Sequence, residues 1–173
     1  MDNKWLTIET EGQEIVLKKC KKEAEGIVIV PDGVTIINVY AFMGCKDITS
    51  IKLPNSLKKI FGGAFARCSN LASVNIPLHV ERIGKGAFRE CKKLSSVNLP
   101  DNTRIENCAF SGCEGIKEII LPKRTIALRN LSNRRLDYIF EGVDLTQCTL
   151  IASNEVKEEL ITHYLEGYNI KYV

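Results

Sequence analysis

Histidine, tryptophan and methionine are scarce in this chain, with two, one and two among 173 residues. The two histidines, His79 and His163, stand in no motif with a cysteine or serine nucleophile. Phosphate-cradling G-x-x-x-x-G-K-[ST], nucleophile-elbow G-x-S-x-G, dinucleotide G-x-G-x-x-G and zinc-binding H-E-x-x-H are all missing. An active site is therefore not expected, nor a metal site or a cofactor. No apolar run approaches the ~18 residues of a membrane span. The start, Met1-Asp2-Asn3-Lys4-Trp5, has an early acid and no apolar run after it, unlike a secretory signal. The chain reads as cytoplasmic as it stands, or as secreted or surface-bound if it is a trimmed form. Charge excess is lacking too: the net value is +3, which does not point to nucleic acid. Cysteine is not scarce. Seven cysteines with an odd count and no export signal argue against a disulfide scaffold.

Proline is sparse but ordered. All five prolines, Pro31, Pro54, Pro77, Pro100 and Pro122, fall in one series with steps of 23, 23, 23 and 22. Other columns keep the step. Ala41-Phe42, Ala64-Phe65, Ala87-Phe88 and Ala109-Phe110 form one, and Cys45, Cys68, Cys91 and Cys113 another. Ile48, Leu71, Leu94 and Ile116 follow, then Ile51, Val74, Val97 and Ile119. In the fourth unit Thr103 fills an apolar slot, and one residue is missing between Pro100 and Ile105. A period of this length means stacked units, none of which can bury its apolar face alone.

Within one unit, Val74 and Ile76 alternate with Ser73 and Asn75, the pattern of a half-buried strand. Pro77 ends it by removing a ladder donor. Val80 and Ile83 pack the next segment inward, Gly84 permits a turn, and Ala87 to Cys91 is read as one short helical turn. The expected fold is an α/β, right-handed solenoid of parallel strands and short helical turns, capped at both ends. It forms a single domain: 1–26 an N-terminal cap, 27–122 the repeats, and 123–173 an atypical last turn and cap helix. Leu136 and Ile139 are read at strand spacing and Cys148 to Ile151 as the last strand. Ser153 or Asn154 would then cap a helix burying Val156, Leu160, Ile161, Tyr164 and Leu165.

These columns resemble the BspA-type leucine-rich-repeat family, whose unit reads roughly C-x-x-L-x-x-I-x-[LI]-P-x-x-[LV]-x-x-I-G-x-x-A-F. Cys68, Leu71, Val74, Ile76, Pro77, Val80, Ile83, Gly84, Ala87 and Phe88 reproduce it. The stretch Phe140 to Leu150 resembles the segment that often closes such arrays, with Ile151-Ala152-Ser153 where the family usually has Val-Pro. The resemblance implies a leucine-rich-repeat solenoid that binds other proteins, since members are known mainly as bacterial surface proteins in contact with host proteins or neighbouring cells.

The candidate binding surface is the strand face, where Ser50, Lys52, Ser73, Asn75, Ser96, Asn98 and Glu118 should point outward beside Ile120. The partner read from it is another protein. A glycan-binding module is the alternative, and would want exposed aromatic platforms. A thiol-reactive or enzymatic protein built on Cys108 is a second alternative; Cys20, Cys108 and Cys148 lie outside the cysteine column, and Cys108 takes a place read as tolerant of any residue. The column itself is read as small buried hydrophobes, since in-register thiols about 4.8 Å apart are poorly placed to pair. Lys58, Lys59, Arg82, Lys85, Arg89, Lys92 and Lys93 fall on segments read as turns, interrupted by Glu81 and Glu90, and read as a solvated face. Arg124, Arg129, Arg134 and Arg135 form a denser basic stretch suited to an acidic partner.

Overall fold

Strands on the first face form where a branched apolar residue alternates with a polar one, and they return once per repeat. The computed structural model describes residues 4–123, 133–154, 165 and 167–173. It is a parallel β-solenoid of about six turns with little helix. The strands on one face are β3 (Gly26–Ile29), β5 (Ile48–Lys52), β7 (Ser73–Val74), β9 (Ser96–Asn98), β11 (Glu118–Ile120), β12 (Thr149–Ala152) and β13 (Asn169–Tyr172). They form a three-stranded sheet, β3-β5-β7, and a four-stranded sheet, β13-β12-β11-β9. Ser95 N–H donates to the Ala72 carbonyl (3.2 Å) and joins the two. Cys148 to Ile151 is thus not the last strand, because β13 pairs with β12 beyond it.

A second sheet goes beyond what the repeat pattern predicts. β1 (Leu6–Glu11), β2 (Glu14–Cys20), β4 (Ile36–Ile37), β6 (Lys59–Ile60), β8 (Arg82–Ile83) and β10 (Arg104–Ile105) are its six strands, in that order. β1 and β2 are an antiparallel hairpin, and every later pairing is parallel. The coil therefore starts at β2, inside the charged N-terminal segment. Lys59 and Arg82, which read as turn residues in sequence, are strand residues. Their strands are two residues long, too short to show an alternation in sequence.

Between the two sheets runs the core. Phe42, Phe65, Phe88, Phe110 and Phe140 are fully buried and stack face to face, with centroids 4.8, 5.0, 5.2 and 5.2 Å apart. Ala41, Ala64, Ala87 and Ala109 are equally buried, their methyls leaving room for the backbone to pass. The segments that carry these residues are turns rather than the helical turn expected. Tyr40, Gly63, Gly86 and Cys108 have φ of 57°, 61°, 63° and 59°. Four residues on, Gly44, Arg67, Glu90 and Gly112 have φ of 71°, 62°, 60° and 68°. Two left-handed residues per coil break any helix, which needs φ near −63° throughout. Backbone donors alternate instead. Phe65 N–H reaches the Ala87 carbonyl of the next coil (2.7 Å), while Ala66 N–H closes on Gly63 (2.9 Å). Every coil is thereby tied to its neighbour through the turn as well as through the strands.

Beyond Leu121 the period lengthens. Leu136 and Ile139 are buried on a seven-residue helix, α1 (Asn133–Ile139), not on a strand. Their i, i+3 spacing with Phe140 at i+4 is the helical pattern. The helix expected over Val156 to Tyr164, and Arg124 and Arg129, lie outside the described residues, as do the side chains of Arg134 and Arg135. Leu165 is buried.

Candidate strand-face binding site

The strand face is built by alternation. In β5 and β7, Ile51 and Val74 turn into the core, so Ser50, Lys52, Ser73 and Asn75 face outward. Register then stacks equivalent residues: Ser50 pairs with Ser73, Ser96 with Glu118, and Asn98 with Ile120. The outcome is two ladders, one of serines and one of Lys52, Asn75 and Asn98.

These ladders line a shallow groove of about 520 Å³ formed by Ser50, Lys52, Ser73, Asn75, Ser96 and Asn98, with Ile51, Leu53, Val74 and Ile120 beneath and beside them. Six of the seven residues selected from sequence are brought together here. Glu118 is exposed in the next coil and does not line the groove. Of the apolar rim the alternation places only Ile120 outward: Leu53 also lines the groove, and Ile27 and Ile29 are exposed at the N-terminal end of the same face. Exposed isoleucines at outward strand positions are the signal for it. The Ser73 hydroxyl donates to the Ser50 hydroxyl (3.2 Å), so the serine ladder is partly self-satisfied. Lys52 is the one titratable lining residue. Among the described residues, the groove offers hydroxyls, amides and one cation.

The thiols are occupied differently. Cys68, Cys91 and Cys113 are fully buried, and each donates Sγ–H to the phenylalanine carbonyl of the preceding coil: Phe42 at 3.1 Å, Phe65 at 3.2 Å and Phe88 at 3.0 Å. A cysteine column thus fits a slot that is small, apolar and in reach of a spare carbonyl lone pair. Burial pushes the Cys68 thiol up to about 12. Cys20 stands where later coils have phenylalanine, since its N–H reaches the Ala41 carbonyl (2.7 Å) as Phe42 N–H reaches that of Ala64. Cys108 is half-exposed and donates to Glu141 Oε2 (3.3 Å); burial first, and then this carboxylate, raise its pKa. That is the reverse of an activated nucleophile. Its place is also not tolerant of any residue, because φ there is left-handed.

The family model for the BspA-type leucine-rich-repeat region matches residues 18–136 and 102–159, in six copies. The chain belongs to this family. Among curated proteins none matches it in sequence. Several solved structures share its fold, three of them as follows. A leucine-rich cell surface protein from Faecalibacterium prausnitzii A2-165 is 21% identical with a TM-score of 0.71, covering 96% of this chain and 38% of its own. The Treponema pallidum leucine-rich-repeat protein is 19% identical at 0.63, covering 99% and 97%. The pneumococcal vaccine antigen PcpA is 14% identical at 0.73, covering 96% and 48%. The chain thus spans well under half of the Faecalibacterium protein. No described helix of this BspA-type chain is long and apolar enough to cross a membrane.

Proposed function

We propose that this BspA-type repeat chain is a non-catalytic protein-binding module whose contact surface is the strand-face groove. One observation carries the reading: small polar side chains from three successive coils converge on a single groove with apolar residues at its ends. That composition suits a partner with exposed main chain or polar side chains between two apolar contacts. A glycan site is favoured less, since no aromatic residue among the described residues lines the groove. The likeness to a cell-surface leucine-rich protein makes an extracellular protein the first partner class to test. Since β2, β12 and β13 belong to the coil itself, the edge strands β1 and β13 are read as the elements that close its ends.

The test is retention of partners by immobilised chain, compared between two variants. Ser73→Glu with Asn75→Glu places charge in the middle of the groove and leaves the packing of Val74 and Ile76 beneath it intact. Stability should fall by less than ~1 kcal/mol, while binding weakens by at least ~2 kcal/mol, because unpaired charges are desolvated. Lys92→Glu with Lys93→Glu changes the turn instead and should leave binding intact. Binding that is lost with the turn variant and kept by the groove variant contradicts this reading.

A further inference from the structure

The second parallel sheet carries a charge pattern that the groove does not use. β6, β8 and β10 pair in register, so Lys59, Arg82 and Arg104 follow one another in one column. Buried Ile60, Ile83 and Ile105 alternate with them and turn all three outward. Like charges in neighbouring strands, about 4.8 Å apart, repel. The structure relieves this at the middle position alone. Arg82 Nε and Nη2 donate to Glu106 Oε1 at 2.9 and 2.7 Å, and its guanidinium lies over the Phe61 ring, 5.8 Å from the centroid. Glu106 is held in turn, its Oε2 accepting from the Lys85 N–H (3.0 Å). Among the described residues, no carboxylate lies within ion-pair distance of Lys58, Lys59, Lys85 or Arg104. On β6, β8 and β10 and the residues beside them, five cations thus stand with two acids, Glu81 and Glu106.

We infer that this sheet docks an acidic polypeptide segment lying along the coil axis. Its carboxylates meet Lys59 and Arg104 and it crosses the neutralised Arg82–Glu106 pair between them. Two strand steps separate those cations, roughly 10 Å, which one turn of polyproline-II backbone spans, three residues at about 3.1 Å each with both carboxylates on one side. Spacing is what selects the partner class. Duplex nucleic acid carries a charge every ~1.7 Å of axis and would set phosphates against Glu81 and Glu106 as well as against the cations. Phe61 already lies under Arg82, so it is not open for a base to stack. A peptide can leave neutral residues opposite the acids.

Fluorescence anisotropy of a labelled peptide with glutamate at every third residue and serine between, titrated with the full chain, tests the inference. Binding should weaken steeply as salt rises. Lys59→Glu with Arg104→Glu should weaken it by about tenfold or more, and Lys59→Gln with Arg104→Gln by less but clearly. Lys46→Glu with Lys93→Glu makes the same charge change at exposed positions elsewhere and should stay within about twofold of wild type. Circular dichroism confirms that each variant folds. Equal losses in the two glutamate variants would show that net charge alone is at work. Tighter binding of a labelled DNA duplex with the same residue dependence, or no binding of the peptide, would also overturn the inference.

Discussion

Two residues in each coil adopt the left-handed backbone conformation. These positions, four apart, are where the chain turns from one sheet to the other, and glycine fills one of the two in every coil: Gly44, Gly63, Gly86 and Gly112. Tyr40, Arg67, Glu90 and Cys108 occupy the other at a cost of roughly 1–2 kcal/mol each. Cys108→Gly removes that strain along with one exposed hydrogen bond, and should raise stability by about 0.5–1 kcal/mol in a denaturant titration. Gly63→Ala should do the opposite and cost more than ~1 kcal/mol. A Cβ there has an unfavourable φ of +61° and would meet the Tyr40 ring at 2.4 Å. A stability gain from Gly63→Ala would mean that the turn is not built as described.

At the scale of elements, the strand face is legible in sequence because its apolar and polar residues alternate over four or more positions. The second sheet is not, because two-residue strands carry no period, and its Lys59 and Arg82 read as turn charges. The Ala-Phe segment looks helical in sequence because phenylalanine and cysteine are three apart; non-glycine residues at half of the left-handed positions conceal the true conformation. Phe140 escapes the column as the fifth ring of the stack because it follows Phe110 by 30 residues. Its signal is the recurrence of Phe-x-Gly, with Gly142 left-handed (φ 78°) like Gly112. The groove's polar ladder is legible from β5 to β9, but its apolar rim is legible only at Ile120, since single exposed isoleucines are ordinary on protein surfaces. The ring column should dominate the energetics. Phe88→Ala leaves a cavity between two stacked rings and should cost on the order of 3–5 kcal/mol. Arg89→Ala, one residue on, exposed and paired with Glu90, should cost under ~0.5 kcal/mol. Similar midpoints for the two in urea would contradict the register.

Over the whole molecule, one property governs the rest. Successive coils stack so that one set of columns is sealed in a continuous core while the alternate set faces outward. Native-state thiol labelling, mapped by peptide mass, reads both sets at once. Wild-type Cys45, Cys68, Cys91 and Cys113 should stay unmodified until the chain is unfolded, with half-exposed Cys108 the first native thiol to react. Ser73→Cys and Asn75→Cys, introduced singly, should label at the rate of an exposed thiol, whereas Val74→Cys between them should be protected. Labelling of the native column as fast as position 73, or protection of positions 73 and 75 with a reactive thiol at 74, would show that the register is slipped by one residue and that the groove described here faces the core.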